Sequence, residues 1–263
     1  LLNSNAIGKV NEVHVWVAST SGGKPRTKGS YVAPNNLNYN LWLGPKKEHI
    51  PYHPTHHPFH WRQWWDFAGG TLADLGCHYI DLSHWALGLR HPSKIKVINS
   101  PKPDDEYTPY SLIVEFHYDK IGKQPKTKMR WYHGDSRPPH FAEGILPNWG
   151  NGSLFIGNKG MLLADYNKHL LLPEKDFKDF QRPEPSIPKS IGHHQEWIQS
   201  IKTGSKTTCN FDYSGPLTEV VLLGNIAHRT NSPIFWDHEQ MIATGHSQAD
   251  EFINHEYRKG WEL

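Results

Sequence analysis

Residues 69–88, GGTLADLGCHYIDLSHWALG, decide the reading of this chain, because two aspartates and two histidines interrupt what otherwise has the pattern of a buried helix. At 100° per residue, Asp74, His78, Asp81 and Trp85 fall within roughly 60° of one another on a single stripe. Leu75, Tyr79, Leu82, Ala86 and Leu89 make a second stripe about 100° round, and Ile80 and Leu87 cover a third side. Most of the circumference therefore calls for burial, and the polar stripe calls for partners. Two readings stand side by side. Thr71 and Asp74 have the T-x-x-D spacing of a capping box, which would leave Asp74 satisfying a backbone amide and His78 as a hydrogen-bonded core histidine. Alternatively Asp74 and His78, one turn apart, project into a cleft, where a carboxylate steadies an imidazole able to exchange a proton near neutral pH.

Outward from this segment the pattern divides in three. Before it, Val10–Ala18 alternates, with Val13, Val15 and Val17 on one face, which predicts a strand. Residues 19–67 then carry Pro34, Pro45, Pro51, Pro54 and Pro58 among many Gly, Asn and His, which predicts a long irregular excursion. After it come strand patterns at Ile95–Asn99, at Leu112 to Tyr118 and around Met129 and Trp131. A hairpin turning at Gly157-Asn158-Lys159-Gly160 and a return strand at Leu170–Leu172 complete an expected antiparallel meander. The last third reads as helical, beginning near His193 with Trp197, Ile198 and Ile201, continuing from Ser214 to Ile226, and closing with an S-x-x-D start at Ser247 and Asp250. The sum is an α+β fold with a mostly antiparallel open sheet flanked on one face by helices, in one domain spanning residues 1–263.

Composition narrows the function classes. The 263 residues are 37% hydrophobic, enough for a sizeable core. A formal charge of +2, from 28 basic and 26 acidic side chains scattered along the chain, gives no support to a nucleic-acid or anionic-membrane partner. Cys77 and Cys209 imply no disulfide framework, and no run approaches the roughly 18 apolar residues of a membrane span. The chain opens on Leu1 rather than Met and shows no signal peptide, which reads as a cut or processed start beyond which an export signal could lie. The compartment is thus not fixed, the cytoplasm being the default.

The segment FAGGTLADLGCHYIDLSHWALG, taken with NYNLWLGP and HPFHWRQWWDF before it and FDYSGPLTEVVLLGNIAHRT and YRKGWEL after it, resembles the C-terminal domain of the glucose-fructose oxidoreductase, inositol dehydrogenase and rhizopine-catabolism (Gfo/Idh/MocA) family, in its bacterial dehydrogenase branch. The resemblance runs from AIGKVNEVHVW to Leu263. It implies a substrate domain of an NAD(P)-dependent sugar or polyol oxidoreductase, in which Asp74 and His78 bind the reacting hydroxyl and assist proton transfer. It also implies a separate N-terminal Rossmann domain holding NAD(P), a lysine of an E-K-P motif in that domain, and homo-oligomers formed through the outer face of the sheet, which the meander from Tyr110 to Leu172 could supply. Some relatives of this branch carry twin-arginine export signals.

The E-K-P motif is absent here, and Gly22-Gly23, Gly69-Gly70 and Gly150-Asn151-Gly152 all lack the strand, spacing and following helix of a dinucleotide fingerprint. The chain is therefore expected not to bind NAD(P) by itself, and to be inactive in redox chemistry without a nucleotide-binding domain. Substrate-binding candidates beside Asp74 and His78 are His57, Trp61, Arg62 and His194. Trp61, Trp64 and Trp65 crowd around Arg62, an arrangement suited to stacking on a sugar while the guanidinium donates to hydroxyls, or to filling a core with Arg62 paired to an acid such as Asp66. The resemblance places the HHQEW segment containing His194 near the substrate cleft. Two other classes stay open: a non-catalytic carbohydrate-binding or oligomerisation module, and a metal-dependent lyase or hydrolase using His53, His56, His57 and His60. No metal is expected, because Pro54 and Pro58 break the helix that would align those histidines.

Overall fold

A computed structural model describes residues 1–262. Strand β1 (Val10–Val17) is followed by the irregular segment, which contains only helix α1 (Tyr39–Leu43) and short 3₁₀ turns. Helices α2 (Gly70–Tyr79) and α3 (Asp81–Leu87) come next, then strands β2 (Lys94–Asn99), β3 (Leu112–Tyr118), β4 (Thr127–His133), β5 (Gly152–Gly157), β6 (Gly160–Asp165) and β7 (Lys168–Leu172). Helices α4 (His193–Thr203) and α5 (Phe211–Arg229), strands β8 (Ile234–Asp237) and β9 (Ile242–Ala243) and helix α6 (Ser247–Ile253) complete the chain.

Among the described residues nine strands form one sheet in the order β7-β6-β5-β1-β4-β3-β2-β8-β9, antiparallel throughout except for β1 and β4. The expected meander is therefore interrupted: β4 and β5 do not pair, because β1 lies between them, Val13 opposite Met129 on one side and Phe155 on the other. A strand 110 residues upstream leaves no local trace in the β4–β5 connection, so alternation finds the strands and not their neighbours.

Period-2 alternation splits the sheet's side chains. Val13, Val15, Val114, Phe116, Met129, Trp131 and Phe155 point to the helical side and form the main core with Leu72 and Ile80 of the first helices and Val220, Val221 and Ala227 of α5. At roughly 25 cal/mol per Å² of apolar surface, this layer is the dominant favourable term in folding. The opposite face carries a smaller apolar cluster at Trp16, Tyr132, Leu154, Leu163 and Leu172, roofed by Phe141, Leu146 and Trp149. Towards β3 and β4 it becomes charged: Glu12 meets Lys128, and Glu115 meets Arg130 and His117.

Two local expectations are corrected. The quoted segment is two helices joined at Ile80 rather than one. The Thr71–Asp74 capping box does not form: α2 is capped by Gly69 with no side-chain bond, so Thr71 already lies inside the helix, whereas the final helix does begin at Ser247, as its S-x-x-D pattern predicts. The helix expected from Trp197, Ile198 and Ile201 forms as α4, with Trp197 and Ile201 63% and 68% exposed; helical spacing marks an amphipathic face without saying what covers it.

Candidate functional site

The start of α2 is set by close packing. Gly70 has φ +64°, and a Cβ there would lie 2.5 Å from Thr108 Oγ1, so glycine fits where a side chain would not. Asn225 of α5 donates to the Gly69 carbonyl at 2.8 Å, and the Thr71 hydroxyl accepts from the Ser21 amide at 2.7 Å. Thr71 is thereby engaged by the irregular segment, and Asp74 is not needed as a cap. Its Oδ2 instead accepts from Arg62 Nε at 3.0 Å. The guanidinium lies 4.5 Å over the Trp61 ring and 5.1 Å from that of Phe59, whose carbonyl accepts from Nη1. Aromatic faces and a backbone acceptor thus aim Arg62 at Asp74. Asp66, weighed from sequence as Arg62's partner, pairs with Arg26 and Lys46 instead.

One turn further along α2, His78 is exposed. It lines a pocket of about 200 Å³ with Asp81, Trp85, Asp165 and Tyr166. Tyr166 donates from its hydroxyl to the His78 carbonyl at 3.4 Å, and Tyr213 of α5 donates to Asp81 Oδ1 at 2.5 Å. Burial, and then the Asp81 carboxylate, push the Tyr213 hydroxyl well above its ordinary pKa, so it stays a donor. Tyr166, Asp165 and Tyr213 escaped the sequence reading: they reach α2 and α3 from the β6–β7 turn and from α5, and no local pattern signals so distant an arrival.

The other candidates are placed apart. His57 packs edge-on against the Trp42 ring at 5.1 Å. His194 is exposed at the start of α4 beside His193, with no hydrogen bond to Asp74, His78 or Arg62 among the described residues. Trp64 is buried under Arg26, and Trp65 donates to the Asp104 carbonyl, so both help hold the loop. His53 and His56 are likewise committed, His56 to Arg26 Nε and the Tyr39 hydroxyl and His53 to Thr27 and Thr55. Among the described residues no group of three or more His, Cys, Asp or Glu is arranged to hold a metal, and no helix is long and apolar enough to cross a membrane.

A dinucleotide does not fit the residues present in the Rossmann manner. The parallel neighbours β1 and β4 are not joined by a glycine turn opening a helix, since β1 runs into the irregular segment. At Gly69-Gly70 the space a pyrophosphate would approach is filled by Thr108 and Asn225.

Comparison with known proteins agrees with the resemblance drawn from the sequence. Residues 10–124, which include the D-x-x-x-H segment, match the family model for the C-terminal alpha/beta domain of the Gfo/Idh/MocA oxidoreductase family. No curated protein matches the chain significantly. Among solved structures, an oxidoreductase from Thermotoga maritima is 15% identical, aligning over 89% of this chain and 56% of its own with a TM-score of 0.47. An oxidoreductase from Agrobacterium radiobacter in complex with NAD+, L-tartaric acid and magnesium is 11% identical, over 92% of this chain and 60% of its own, with a TM-score of 0.42. The chain thus spans 56% to 60% of the length of these two structures.

Proposed function

From the membership of residues 10–124 in the C-terminal alpha/beta domain of the Gfo/Idh/MocA oxidoreductases, we propose that this chain is a substrate domain that binds a sugar or polyol at Asp74 and His78. The observation that carries the reading is the Arg62–Asp74 pair on an open helix face, one turn from an exposed imidazole. Arg62 occupies Oδ2 and leaves Oδ1 to accept from a substrate hydroxyl. His78 supplies a nitrogen that can take or return the hydroxyl proton. Trp61 offers a ring face beside Arg62 for the apolar side of a sugar. NAD(P) is held, in this reading, by a separate nucleotide-binding domain, and the 263 residues bind substrate without turning it over.

Titration calorimetry with a panel of hexoses and polyols tests this. Saturable binding weakened at least roughly tenfold by Asp74→Asn is expected, about one lost hydrogen bond to a charged group. Binding indifferent to Asp74→Asn and His78→Ala would remove the site. A parallel NAD(P) titration is expected to show no saturable binding, and tight binding would overturn the assignment of the cofactor to another domain.

A second copy of the chain is the partner we assign to the outer sheet face. Half-buried Ile156, Met161 and Leu170 there favour an apolar contact, and the rows of Glu12, Lys128, Arg130 and Glu115 would set its register. Analytical ultracentrifugation is expected to give a dimer or larger species, and a clean monomer at high concentration would remove this partner. A module that only binds carbohydrate would share the Asp74 dependence but gain no turnover when a nucleotide-binding domain is supplied.

A further inference from the structure

Helix α5 has a second working side. Val221, Gly224 and Asn225 meet α2, whereas Glu219, Leu222 and Ile226 border a separate cavity of about 620 Å³. Trp236 and Met241 of the β8–β9 hairpin and Phe252 and Ile253 of α6 supply the rest of its apolar wall. The polar side chains lining it are Glu219, His91, Ser214 and Thr218. Among the described residues in this wall Glu219 is the only carboxylate, and no lysine or arginine faces it.

Glu219 is held in one orientation. Its Oε1 accepts from Trp236 Nε1 at 2.8 Å and from His91 Nδ1 at 2.9 Å, and the His91 ring is itself stacked on His238, with centroids 4.2 Å apart. Two donors thus converge on one oxygen, while Oε2 accepts no hydrogen bond from the described residues. The side chain is only 13% exposed, and a carboxylate oxygen so far from bulk water is costly to leave without a donor. Two neighbouring cations are engaged elsewhere: Arg90 donates to the Asp212 carbonyl, and Arg229 stacks on the rings of Trp65 and Phe252.

A ligand that fits this cavity has an apolar body and brings one positively charged donor. We propose that the cavity binds a primary amine with an apolar body, its ammonium group donating to Glu219 Oε2 and its body lying against Leu222, Ile226 and Trp236. Hydrophobic burial supplies affinity and the carboxylate selects the head group. This site stands apart from the sugar reading, because Asp74, His78 and Arg62 take no part in its wall.

The test compares octylamine, octanol and octanoate, equal in chain length and different in head group, titrated calorimetrically into the 263-residue chain at neutral pH. Octylamine is expected to bind saturably and at least roughly tenfold more tightly than octanol, the effect of one charge-assisted hydrogen bond, and octanoate more weakly than either. Glu219→Gln keeps an acceptor for Trp236 and His91 but removes the charge, and is expected to bring octylamine to the affinity of octanol. Leu222→Trp, at a half-exposed position, fills the cavity and is expected to weaken both compounds several-fold. Octanol binding as tightly as octylamine to the unaltered chain overturns the head-group assignment without recourse to either variant. Octylamine binding that survives both substitutions overturns the placement, and no binding by any of the three overturns the site.

Discussion

Arg62 Nε and Asp74 Oδ2 meet at 3.0 Å between the 3₁₀ turn before α2 and the second turn of the helix itself. Both side chains are partly open to solvent, at 28% and 38% exposure, where an ion pair adds only about 0–1 kcal/mol. Stability therefore gives a weak reason for Phe59 and Trp61 to hold the guanidinium so firmly. Orientation of a carboxylate gives a better one. Arg62→Leu is accordingly expected to shift the unfolding free energy by about 1 kcal/mol or less while weakening sugar binding several-fold. Chemical denaturation beside calorimetry separates the two, and a large loss of stability with unchanged binding would make the pair a structural strut.

Arg26 behaves oppositely. Its guanidinium reaches Asp66 at 2.7 Å, Glu106 at 2.9 Å and His56 at 2.9 Å, and stacks 4.5 Å over the buried Trp64. Its side chain is only 17% exposed, and one residue thereby ties the 19–67 excursion to the turn before β3. Arg26→Met leaves Glu106 without its cation while Asp66 keeps Lys46, and with the lost stacking on Trp64 a loss of about 1–3 kcal/mol is expected, measured by urea denaturation. A change under about 1 kcal/mol would show that the loop is held by its aromatic contacts alone.

What the sequence disclosed follows the range of the interactions. Val13, Val15 and Val17 announce β1 because strand side chains alternate within a few residues, and Asp74, His78, Asp81 and Trp85 announce their stripe because neighbouring helical turns fix it. The insertion of β1 between β4 and β5, the partner of Arg62 and the arrival of Tyr166 at His78 all depend on contacts between distant segments. The family motif supplied the fold class that local pattern could only suggest. Thr71-x-x-Asp74 misled because the capping rule concerns a boundary, and a helix starting one residue before Thr71 leaves the same letters with different work.

Gly76 marks where α2 crosses α5. A Cβ there would lie 2.6 Å from Val221 Cγ1, deep in the core, although the residue is helical and alanine has the better helix propensity. Packing should outweigh propensity. Gly76→Ala is expected to cost about 1–3 kcal/mol and to push α2, with Asp74 and His78, away from α5, lowering the melting temperature and sugar affinity together. A stabilised Gly76→Ala would mean that Val221 changes rotamer freely and that this crossing is looser than its geometry indicates.

Acid sensitivity follows from four histidines hidden in the fold. Burial holds His56, His133 and His228 at pKa values of about 4 and His84 at about 3, against 6.5 in an open chain. His133 shows why the neutral form is kept: Trp131 Nε1 donates to its Nδ1 at 2.8 Å, while its Nε2 faces the Pro109 carbonyl at 3.3 Å, so a second ring proton would point at an N–H. Above pH 6.5 these rings are neutral in both states and contribute no pH dependence. As the pH falls below 6.5 the unfolded chain takes up protons that the fold refuses, and stability drops until the pH nears 4. Each ring contributes a slope of up to about 1.4 kcal/mol per pH unit. Scanning calorimetry from pH 7.5 to 5 is expected to show a steep fall in melting temperature. His84→Phe, which removes one of the four, should flatten the slope by about one proton even where the lost bond to Tyr118 lowers the whole curve. An unchanged slope in that variant would mean that His84 is protonated inside the fold, against its burial beneath the helices.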